Sequence, residues 1–152
     1  MNRRVLSRGR RVAGVGAIVV LVACFLPWFR VGGDLGGLPA ITSNALAGNQ
    51  YFGAGIVVFV AALAVLALLA LPFAAGDQPL GIDRPASFVI AAAVGVIGYL
   101  ASLAQLLAGG ALLQEARPLF LPDRAPGLWL AALGVVLMAW GSWQTIREQR
   151  GW

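Results

Sequence analysis

Four stretches of this sequence, residues 12–29, 52–73, 87–108 and 127–143, run without a single charged side chain. Each is close to or above the roughly 18 residues that a helix needs to cross about 30 Å of hydrocarbon. The connections between them are too short to bury a core of their own, so residues 1–152 are expected to form one membrane domain. The expected fold is all-α, an antiparallel bundle of four transmembrane helices. Composition points the same way: 60% of the residues are hydrophobic and 11% charged, too few polar side chains to coat a water-soluble surface.

The basic residues are all arginine, and their positions say more than the net charge of +5. Arg3, Arg4, Arg8, Arg10 and Arg11 precede the first apolar run, and Arg147 and Arg150 follow the last. Arginine is retained on the cytoplasmic side of membrane spans, so both termini are expected there, with these side chains setting topology and meeting anionic lipid. The connection "AAGDQPLGIDRPA" is less basic than a cytoplasmic loop usually is, carrying Asp77, Asp83 and only Arg84, but acidic residues weigh little in this rule. A nucleic-acid patch in "RRVLSRGRR" is the competing explanation, and topology accounts for the same residues more simply. One cysteine allows no internal disulfide, and with no histidine these counts remove most metal sites and every histidine-based catalytic dyad. No cofactor is expected.

The segment "CFLPWFRV", residues 24–31, decides how the first run is used. "LVAC" resembles a lipoprotein cleavage site, but Phe25, Leu26, Pro27 and Trp28 follow it in place of a flexible polar tether. The expectation is an uncleaved helix that Pro27 terminates, with Trp28 and Phe29 at headgroup level and Arg30 in water. Tyr51 and Trp129 are placed at the same outer interface and Trp143 at the inner one.

Small residues mark the expected packing seam. In the third run Ala91, Gly95, Gly98, Ser102, Gln105 and Gly109 recur in steps of four and three; Gly127, Ala131, Gly134, Met138 and Gly141 repeat the pattern in the fourth. Such stripes let backbones approach, so the third and fourth helices are expected to pack tightly together, with Ser102 and Gln105 hydrogen-bonded between helices. Gly14 and Gly16 are expected to admit another helix rather than a nucleotide, since the third glycine of a dinucleotide fingerprint is missing. The glycine-rich first outer loop should be irregular or form two short strands. The second outer loop, "ALLQEARPLFLPDRAPG", should be partly interfacial, with its three prolines barring a regular helix.

"FLPW" closing the first run, "GNQYFGAG" entering the second and "APGLWLAALGVVLMAWGS" forming the fourth resemble small four-span membrane proteins of GC-rich bacteria, actinobacteria above all. That resemblance implies the bacterial cytoplasmic membrane as compartment and brings no activity with it. The spans carry no charged side chain or histidine, which speaks against an enzyme. The function expected is that of a structural or accessory subunit, associating in the membrane with a larger complex or with itself. The alternatives are a lipid- or quinone-binding protein, whose apolar groove needs no charge, and a small-solute transporter.

Overall fold

A computed structural model describes residues 7–31, 41–46, 54–74, 85–108 and 125–150. Four helices dominate them: α1 (Arg8–Phe25), α2 (Gly55–Ala74), α3 (Pro85–Ala108) and α4 (Pro126–Arg150). Between α1 and α2 lie two short strands, β1 (Pro27–Val31) and β2 (Ile41–Asn44), paired antiparallel. The second outer loop up to Arg124, expected to be partly interfacial, falls outside the described residues, as do Arg3, Arg4 and Tyr51.

Each helix starts or stops for a local reason. Ser7 caps α1, its hydroxyl accepting from the Arg10 N–H at 3.3 Å. At the other end Leu26 turns extended, at φ −81° and ψ 159°, because the ring of Pro27 disfavours helical geometry in the residue before it. Pro85 and Pro126 open α3 and α4 in the first-turn position where a missing N–H costs nothing.

α2, α3 and α4 are each long and apolar enough to cross a membrane. α1 differs from the run of 12–29 expected as the first span. Arg8, Arg10 and Arg11 occupy its first turn and its helix stops at Phe25. Residues 12–25 therefore give about 21 Å of apolar helix at 1.5 Å per residue, short of the roughly 30 Å of hydrocarbon. The remainder of the run, from Pro27, is strand.

The helices form a four-sided bundle in which α1 touches α2 and α4, and α3 touches α2 and α4, the contact of α1 with α4 being the most extensive. Neighbours are antiparallel throughout. Gly9 lies against Gly141 and Gly16 against Gly134. Phe25 meets Phe59 edge-on while Gly14 meets Leu69. Gly98 faces Val57 while Gln105 reaches Ala54. Phe88 is bonded by Ser142 and Tyr99 bonds Leu128. α1 thus begins and α4 ends at one end of the bundle, with the β-hairpin at the other.

Side-chain size is sorted opposite to a soluble bundle. The interior is lined by Ala13, Ala17, Ala62, Ala131 and the glycines, filled out by Val20, Val58, Val65, Phe88, Leu106 and Met138. Large apolar side chains point outward instead: Ile18, Val22, Ile56, Ile90, Ile97, Leu100, Val136 and Trp140, the last 60% exposed. Water would penalise that surface, whereas hydrocarbon accepts it and rewards close backbone contact inside.

Candidate functional site

Two constructions distinguish this bundle: a glycine seam along α4 and a tryptophan plug at the hairpin end. The seam begins with spacing. Gly127, Gly134 and Gly141 recur every seven residues on α4, and Gly9, Gly16 and Ala23 do so on α1. Seven residues are close to two helical turns, so each set lies on one face. A methyl group built on Gly134 would stand 2.9 Å from the Gly16 carbonyl oxygen and 2.9 Å from the Val20 nitrogen. On Gly16 it would meet the Met138 nitrogen at 2.6 Å and the Gly134 oxygen at 2.7 Å. Gly141 approaches the backbone of Ala13 and Gly9 as closely, and Gly127 faces the oxygens of Leu26, at 2.7 Å, and Ala23, at 2.8 Å. Backbone lies against backbone along the whole seam, the arrangement that gains most dispersion energy where no water drives association.

The glycine stripe of α4 therefore serves α1, not α3 as the sequence pattern predicts. α3 turns its own small residues mainly toward α2: Gly98 faces Val57 and Val58, and Gly95 sits between Ala61 of α2 and Met138 of α4, each 3.4 Å from a methyl built there. α4 reaches α3 through larger groups. The Ser142 hydroxyl donates to the Phe88 carbonyl at 3.2 Å, and the Tyr99 hydroxyl to the Leu128 carbonyl at 3.2 Å. Ala131 is fully buried in the common core. Ser102, expected to bond between helices, bonds back to the Gly98 carbonyl of its own helix at 2.9 Å. Gln105 does link helices, its side-chain oxygen accepting from the Ala54 N–H at 3.4 Å, but it is exposed on the bundle surface. Ser142→Ala should cost about 1 kcal/mol, the usual size of one interhelical bond in a membrane, and lower the midpoint of thermal unfolding in detergent; Ser102→Ala should cost less, because its bond joins no second helix.

The plug is Trp28, expected at the headgroups and found with no exposed surface. The strand pairing explains the change. Pro27 pairs with Asn44 and Phe29 with Ser43, leaving Trp28 as the extra residue of a bulge. Such a bulge redirects one side chain, here inward. The indole N–H donates to the Ala23 carbonyl at 2.9 Å, satisfying a helix-end acceptor, and the ring meets Tyr99 edge-on at 6.1 Å. Its Cδ1 lies 2.7 Å from where a Gly127 methyl would be. α1, α3, α4 and the hairpin are joined through this one side chain.

At the opposite end the Glu148 carboxylate accepts from the Gly9 N–H at 3.1 Å and so ties the end of α4 to the start of α1, where a helix favours negative charge. Arg8 and Arg11 are exposed; Arg10 lies over the buried Phe88 ring at 5.3 Å, and Arg147 over Trp143 at 5.5 Å. Trp129 and Trp143 are both exposed. Tyr99, Glu148 and Gly9 are absent from the sequence-derived candidates, and Gly16 stands among them only as admitting an unspecified helix. The repeat of Gly9, Gly16 and Ala23 is the available signal for the α1 half of the seam.

No family model, curated protein or solved structure matches this chain. Its chemistry must be read from its own side chains. Among the described residues no three of the residue types His, Cys, Asp and Glu converge on a point that could hold a metal ion. The buried hydroxyls of Ser102, Ser142 and Thr145 are each committed to a backbone carbonyl, at 2.9 to 3.2 Å.

Proposed function

We propose that this chain is a non-enzymatic multi-pass protein of the bacterial cytoplasmic membrane, working as a structural or accessory subunit that associates laterally with a larger complex or with itself. In this reading α1 is the fourth span, short in helix and completed by the residues leading into the hairpin, and both termini are cytoplasmic. Support for that orientation comes from the arginines flanking the first and last helices. The observation that carries the function is the use of polar groups in the core: the hydroxyls of Ser102, Ser142 and Thr145 bond backbone, and the core itself is filled by apolar side chains such as Val20, Val58, Val65 and Met138. A solute pathway would keep polar side chains turned toward the solute. What the bundle offers instead is an apolar exterior on all four helices.

The test is assembly against flux. In mild detergent or polymer nanodiscs the chain should migrate well above its 15.8 kDa monomer mass after bound lipid is subtracted, and liposomes containing it should conduct no ion or solute above background. A strictly monomeric particle with flux that is lost in Gln105→Leu would replace this function with transport.

A further inference from the structure

Along the sequence the chain's net charge is unevenly divided. The segments leading into α1 and out of α4, with the α2 to α3 connection, hold eight of the eleven arginines against Asp77, Asp83 and Glu148, which accounts for the whole formal charge of +5. In the sequence of the other two connections, Arg30, Arg117 and Arg124 are matched by Asp34, Glu115 and Asp123. Of the acids at the charged end, Glu148 is turned onto the Gly9 N–H. Arg8 and Arg11 leave α1 on its exposed sides, and Arg147 leaves α4 at the same height, since Glu148 beside it reaches Gly9.

We propose that Arg8, Arg11 and Arg147 form a collar that binds the phosphate headgroups of anionic phospholipid around this end of the bundle. Arg147 shows how the collar is built. Its guanidinium carbon stands 5.5 Å from the centroid of the Trp143 ring, and the side chain is exposed, so a planar donor suited to phosphate oxygens is held beside the ring and open to the bundle's surroundings. The ring beneath it is exposed and continues into the exposed Trp140 and Val136, so the charge stands where the apolar surface stops. A diester phosphate carried on acyl chains fits both halves of that surface, charge against the arginines and chains against α4. A soluble acidic protein segment would fit the charge alone.

The full-length chain should be incorporated into vesicles of phosphatidylcholine and phosphatidylglycerol in equal amounts, extracted gently, and its co-isolated lipid quantified. Phosphatidylglycerol should be enriched at least about fivefold, the factor that a single surface arginine contributes. Arg8→Gln, Arg11→Gln and Arg147→Gln should each reduce the enrichment, and together reduce it more than any one of them, while Arg30→Gln at the hairpin end should leave it unchanged. The single variants keep the test valid should the triple variant fold poorly. A bulk ratio in the unaltered chain, or an enrichment undiminished by the triple change, would overturn the proposal; binding of a soluble acidic protein at that bulk ratio would give the collar to a protein partner.

Discussion

Gly141→Leu is expected to separate α1 from α4 and to remove the folded bundle at temperatures where the unaltered chain is stable in detergent. The reason is what surrounds the missing side chain. A methyl there would run into the backbone of Ala13 and stand 2.7 Å from the Gly9 oxygen, and backbone cannot rotate aside as a flexible side chain can. Relief requires the two helices to move apart, which also loosens the Gly16 to Gly134 contact on the same seam. Overpacking of an ordinary core costs about 1 to 3 kcal/mol, and this site should lie at or above the upper figure. Gly134→Leu should behave similarly, since its neighbours are the Gly16 oxygen and the Val20 nitrogen. Leu133→Ala, on the outward face of the same helix, is the control and should leave the unfolding midpoint nearly unchanged. Thermal unfolding in one detergent compares the three variants directly. Equal stability of Gly141→Leu and Leu133→Ala would mean that α1 and α4 do not meet along this seam.

The helices were legible in the sequence because the membrane imposes a simple rule: an apolar run of sufficient length must close its own hydrogen bonds as a helix. The second, third and fourth runs matched α2, α3 and α4 within a few residues at most ends, with α4 continuing to Arg150 beyond the last apolar residue. Partner choice was far less legible. Gly134 and Gly141 announce a close approach, but a small residue is equally compatible with any neighbour that has small residues of its own, and both α1 and α3 do. The seven-residue period shared by Gly9, Gly16 and Ala23 with Gly127, Gly134 and Gly141 is the better discriminator, because two helices in backbone contact need matching repeats. Ser102 was misassigned for a related reason. A helical serine can always reach the carbonyl four residues back, so its polarity does not require a second helix.

Trp28→Ala is expected to destabilise the bundle by about 3 to 5 kcal/mol, the range for deleting a large buried aromatic side chain. Sequence alone placed this residue among the headgroups because a tryptophan following a membrane helix usually sits there. A single bulged residue between Pro27 and Phe29 reverses that expectation. Once the indole is removed, the Ala23 carbonyl keeps only the Leu26 N–H as donor, Tyr99 loses its edge-on partner and Gly127 faces a void. The loss reaches the α1–α4 seam and the hairpin together, so one cooperative transition should shift, not a local one. Trp28→Phe separates the contributions: it keeps most of the ring packing and gives up the hydrogen bond, and should cost about 1 kcal/mol. Fluorescence offers an independent check. Trp129, Trp140 and Trp143 are exposed to the bundle's surroundings, whereas Trp28 is sealed inside it. A water-soluble quencher should therefore spare the Trp28 contribution in the folded chain and reach it only on unfolding. Loss of stability in Trp28→Ala no greater than in Trp140→Ala would place Trp28 at the surface after all and leave the outer end of the bundle without its plug.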